Sequence, residues 1–328
     1  MNRQGTARTP TLLRNPIPID PDSSTGGQAR RSEQRSASRL GSIPAPALVL
    51  VGIGSVPLGA GLAKTVFDQM PPSAMVMMRL ATSAVVLTII GRRLLRGLWR
   101  RHPLADLLLV VAFGLTLAVM NFAIYESFAR IPLGIAVMIE FLGPLGVAVA
   151  FSRRPLDLAW VALAATGVVL LVRNDGSGRV TIAGVAFALL AAAGWAAYIL
   201  LSSAIGRRFP GSSGLALASV VGAVIMLPVG IGSGGSALLR PELLAIGVIV
   251  GLLSSVIPYT FELEALRRMR AQVFGILMSL EPAAAALVGL VLLGEVLAAR
   301  EWAAIGCVIV ACVGATRTQP TPPEVPEG

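Results

Sequence analysis

The chain has 328 residues, of which 55% are hydrophobic and only 13% charged, with a formal net charge of +10. Its mean hydropathy of +0.78 excludes an ordinary soluble domain, in which about a quarter of residues are charged. The basic surplus could suit nucleic acid, but membrane proteins gather Lys and Arg on cytoplasmic loops, so a lipid bilayer is the expected partner and nucleic acid is not.

Residues 1–46 hold seven Arg, several Ser and Pro10, Pro16, Pro18 and Pro21 without apolar periodicity, and read as a disordered basic arm. The arm lacks the short apolar core of a cleavable signal peptide, so the first apolar segment is expected to act as its own uncleaved insertion signal. Apolar windows then recur ten times, at 47–67, 73–91, 105–128, 131–151, 156–172, 180–203, 212–232, 242–263, 271–293 and 300–316. A membrane span takes roughly 20 such residues, and only helices or closed barrels satisfy their backbone in lipid. The alternating pattern of a barrel is absent. The chain is therefore predicted to be an all-α membrane protein of ten transmembrane helices.

The windows fall into two sets of five. Residues 47–172 form the first, the polar stretch RNDGSGR at 173–179 is a linker, 180–316 form the second, and 317–328 are a short tail. An offset of 138 carries Pro72 onto Pro210, and one of 142 carries Trp160 onto Trp302. Because five is odd, the second set must run inverted relative to the first, an arrangement typical of secondary transporters with a midplane site at the repeat interface. With the amino terminus in the cytoplasm, 20 of the 27 Lys and Arg fall on that side, including Arg92, Arg93, Arg153, Arg154, Arg207 and Arg208. Lys64, Arg130, Arg173, Arg179, Arg240 and Arg300 fall opposite, and Arg79 lies within a span. Both termini are expected to be cytoplasmic.

Polar residues inside such spans mark candidate sites. Glu140 stands nine residues into the fourth window, about 14 Å along a helix and near the bilayer centre. Gly143 and Pro144 follow it, and a proline weakens the helical ladder and frees carbonyls. Glu281 holds the comparable depth in the ninth window, with Pro282 beside it, and Pro258 breaks the eighth. The two acids either bind substrate and protons or merely lock helices together. Desolvation favours a carboxyl's neutral form, which makes Glu140 and Glu281 the candidates for proton coupling.

Arg79 either snorkels to the interface or grips Glu140 or a substrate carboxylate. Asn121 and Tyr125 in the third window, Trp195 and Tyr198 in the sixth, and Tyr259 in the eighth line a substrate path or form an interfacial belt. Lys64 and Asp68 suit an outer gate or interface, Glu295 a cap or ion pair, and Glu126 and Glu264 solvated helix ends. Cys307 and Cys312 lie five apart on different faces, and His102 is the one histidine. Neither a zinc site nor a His-based triad can be assembled in the membrane, so no enzyme, metal or cofactor is expected.

The segments GLAKTVF (61–67), IPLGIAVMIEFLGPL (131–145), SRRPLD (152–157), AGWAAYIL (193–200), IPYTFELEAL (257–266) and FGILMSLEPAAAALVGLVLLGEVL (274–297) resemble the drug/metabolite transporter superfamily with its two EamA-type repeats. The resemblance spans nearly all of 47–316, although the first 46 residues are longer than that family's usual start. It implies ten helices, an inner-membrane location and export of small neutral amino acids such as threonine and homoserine, coupled to proton entry. An exporter of another small metabolite or a drug with the same fold is the alternative, and the 5% aromatic content argues against a large aromatic-lined pocket.

Overall fold

The computed structural model describes residues 43–95, 103–150, 155–172, 180–209 and 213–318. The basic arm up to residue 42, the 173–179 linker, Pro210 and the tail from 319 lie outside the described residues. The described residues from Ala45 onward belong to one compact unit.

The described residues of this unit are helical wherever they are regular. The helices are α1 (Ala45–Lys64), α2 (Pro72–Leu95), α3 (Leu104–Phe128), α4 in two pieces (α4a, Leu133–Glu140; α4b, Leu142–Ala150) and α5 (Pro155–Val172). Then follow α6 (Ile182–Gly206), α7 (Ser213–Gly234), α8 in two pieces (α8a, Pro241–Gly251; α8b, Ile257–Leu266), α9 in two pieces (α9a, Ala271–Met278; α9b, Glu281–Leu293) and α10 (Ala299–Thr318). Among the described residues nine of the ten are long and apolar enough to cross a membrane as they stand, and the apolar stretch Leu158–Leu170 of α5 is shorter. The protein is thus an all-α, multi-pass membrane protein. Its outward faces carry Ile90, Leu108, Val169, Ile182 and Val291, all exposed, as a hydrocarbon surround permits.

Among the packing partners are α2 with α7, α3 with α6, α1 with α8b, α4a with α9b, and α5 with α10. Shifting every helix number by five turns this set of pairs into itself. Small residues permit the closest crossings, since lipid supplies no hydrophobic drive to bring helices together. At Gly134, for example, a Cβ would stand 2.6 Å from the Ala286 side chain and 2.7 Å from its Cα, so α4a and α9b touch almost backbone to backbone.

Three helices are broken, and a proline accounts for each break. α4 is interrupted at Phe141, and Pro144 in the first turn of α4b has no N–H to offer the carbonyl of Glu140 four residues back. The interruption therefore falls three residues ahead of Pro144. Gly143 serves another end: its Cβ would lie 2.2 Å from the carbonyl oxygen of Ala192 on α6. α9 breaks over Ser279–Leu280, and Pro282 in the first turn of α9b leaves the carbonyl of Met278 without its helical donor. α8 widens into a π-turn at Leu252–Val256 just before Pro258, which deprives the carbonyl of Ser254 in the same way.

Candidate functional site

The broken helices α4, α8 and α9, together with α1, α2, α3 and α6, surround a cavity of about 150 Å³. Drug-sized ligands occupy pockets of about 300–1,000 Å³, so this one suits a small metabolite. Its wall holds Glu140, Glu262 and Glu281, with Arg79 opposite in charge, and Asn121, Trp195, Tyr198, Ser254 and Pro258. Three carboxyls face one guanidinium, an acid surplus that favours protons and ammonium groups over anions.

Arg79 reaches inward instead of snorkelling. Its Nη2 donates to the carbonyl of Ser254 at 2.9 Å, the one released by Pro258, and its Nε donates to Ser255 Oγ at 3.3 Å. The guanidinium also lies over the ring of Tyr125, 5.6 Å from the centroid. The neighbouring released carbonyl, Leu253 O, accepts from Ser55 Oγ of α1 at 2.6 Å. The π-turn thereby fixes the one cavity cation. Among the described residues Arg79 makes no ion pair with a carboxylate, although Glu140 and Glu281 both lie within its electrostatic reach. Of the readings the sequence left open for Arg79, an ion pair with Glu140 is not formed in this conformation among the described residues.

Of the residues singled out in the sequence, Glu140, Glu281, Arg79, Asn121, Trp195, Tyr198 and Pro258 converge on the cavity. Tyr125 does not line it; it is fully buried behind Arg79, packed on Phe67 and Phe128 at 6.2 and 5.5 Å between centroids. Trp195 meets Phe141 edge-on at 4.9 Å, bracing the break in α4. The side chain of Tyr259 lies outside the described ones.

Glu262, at the end of the eighth window with Tyr259 and Pro258, reads in the sequence as either a path residue or part of an interfacial belt, and it lines the cavity. A signal for it exists. The offset of 141 that carries Glu140 onto Glu281 also carries Asn121 onto Glu262, Val137 onto Met278 and Pro57 onto Tyr198, and all eight residues line the cavity.

A half-buried cluster joins three helices. Glu295, after α9b, accepts from Lys64 Nζ at 2.6 Å and from the backbone N–H of Leu133 at 2.8 Å. Lys64 Nζ also donates to the carbonyl of Ile131 at 2.8 Å. Together these bonds tie α1, α4a and α9b, as the ion-pair reading of Glu295 expected. Glu126 pairs with Arg130 and Glu264 with Arg268 near helix ends.

Residues 182–317 match the EamA-like transporter family. The chain is 38% identical over 280 residues to the threonine/homoserine exporter RhtA of Salmonella typhimurium strain LT2, covering 85% of this chain and 93% of that protein. This chain belongs to the EamA-type transporters. The RhtA of Escherichia coli K12 is likewise 38% identical, over 83% of this chain and 90% of that one. An uncharacterized transporter of Bacillus subtilis, YwfM, shares 30% identity over 48% of the chain. A solved crystal structure superimposes with a TM-score of 0.56 at 19% identity, over 83% of this chain and 96% of the other, so the fold of this EamA-type chain has an experimental counterpart.

Proposed function

We propose that this transporter exports small neutral amino acids of the threonine/homoserine type across the inner membrane, in exchange for protons and by alternating access between two inverted five-helix repeats. The observation that carries the reading is the mid-bundle cavity, small and lined by three carboxyls and one anchored guanidinium. An amino acid brings an ammonium and a carboxylate, and this wall offers a partner for each. Glu140 and Glu281 stand beside the breaks of α4 and α9 and line one cavity, so proton and ammonium compete for the same acids, and binding one releases the other. The set of packing pairs that maps onto itself under a shift of five helices supports the inverted repeat, and the 20-to-6 basic asymmetry supports cytoplasmic termini. A reporter fused after Gly328 should accordingly read as cytoplasmic.

Cells overproducing the protein should tolerate more external threonine or homoserine and hold smaller internal pools than cells with an empty vector. Unchanged tolerance and pools, with the protein present in the membrane, would refute the export reading.

A further inference from the structure

Four pairs of cavity-lining residues share one sequence offset, but not every pair matches in chemistry. The offset of 141 that relates Glu140 to Glu281 relates Asn121 to Glu262, so one half presents a neutral amide where the other presents an acid. A two-fold site that held four acids would bind a chiral amino acid equally well in two orientations. Asn121 and Arg79 break that equivalence.

Asn121 is 3% exposed, lines the cavity, and donates from Nδ2 to the carbonyl of Leu117 at 2.8 Å. That bond fixes the amide: the opposite flip would set two acceptors against each other. Its Oδ1 is left buried without a hydrogen-bond partner among the described residues, a condition that destabilises the empty site. The residue sits one turn of α3 from Tyr125, over whose ring Arg79 is held at 5.6 Å. Asn121 and Arg79 both line the one small cavity, so a single small substrate can meet the amide and the guanidinium together.

We propose that Asn121 Oδ1 accepts a hydrogen bond from the side-chain hydroxyl of the exported amino acid while Arg79 holds the carboxylate, so that Asn121 selects hydroxyl-bearing substrates over their deoxy analogue. The inference rests on the amino-acid export reading and names the chemistry that sets its selectivity. One probe suits it, because removing the hydroxyl from threonine or from homoserine gives the same compound, 2-aminobutyrate.

The test measures efflux of labelled homoserine and labelled 2-aminobutyrate from proteoliposomes holding wild type or Asn121→Leu, a variant of similar size that leaves no polar group to bury. Wild type should prefer homoserine by at least about tenfold in kcat/KM. Asn121→Leu should bring the two rates together by slowing homoserine while sparing 2-aminobutyrate. A wild type indifferent to the hydroxyl overturns the proposal, whether or not the variant folds. So does a variant that slows both compounds equally, which would place the amide on the shared ammonium. A wild type that moves neither compound removes the export reading itself and this inference with it.

Discussion

Glu140→Gln should reduce proton-driven efflux to less than about a tenth of wild type, because exchange needs a titrating acid in the path and an amide cannot supply one. Abundance in the membrane should stay near normal. The amide is cheaper to bury than a carboxylate, and no cation is stranded by the change. Arg79 keeps the carbonyl of Ser254, Ser255 Oγ and the Tyr125 ring, so its guanidinium does not depend on Glu140 for satisfaction. Efflux and quantitative immunoblotting of the same membranes check both halves. A variant that loses abundance would make Glu140 a structural brace, and one with wild-type efflux would leave it without a role in transport.

The second large effect concerns Arg79. Arg79→Lys keeps the charge but loses the planar fork that grips a carboxylate in two places, and a point-like ammonium cannot reproduce the paired bonds to Ser254 and Ser255. Losing one charged hydrogen bond costs about 1.5–3 kcal/mol, so KM for the amino acid should rise by about 10–100-fold. Arg79→Gln should be worse still, since it leaves the three cavity carboxyls without any counter-charge. Initial rates over a range of internal substrate concentrations measure the effect. A KM unchanged in Arg79→Lys would show that the guanidinium serves only to hold α2 against α8.

The ten spans were legible because hydropathy alone defines them. The midplane acids were legible because a charge in lipid stands out wherever it occurs. What the sequence concealed was which way each helix faces. Hydrocarbon is as apolar as leucine, so a span shows the same apolar surface to lipid as to its neighbours and periodicity carries no direction. This is why Tyr125 and Tyr198, both candidates for the path, part company in the fold: Tyr198 lines the cavity and Tyr125 is packed behind Arg79. It is also why Glu262, four residues beyond a proline at the end of its window, read equally as a path residue or part of an interfacial belt until the offset of 141 paired it with Asn121. The breaks were legible in kind but not in place. A proline acts on the carbonyl four residues earlier, so the disturbance appears at Glu140–Phe141 and at Ser254, upstream of Pro144 and Pro258.

The most direct measurement is efflux of labelled homoserine from proteoliposomes carrying the purified protein, with an inward proton gradient imposed and then abolished by a protonophore. Proton-coupled amino-acid export predicts efflux that the gradient accelerates and the protonophore slows to the gradient-free rate. Efflux no faster than from protein-free liposomes, or efflux indifferent to the gradient, would contradict it.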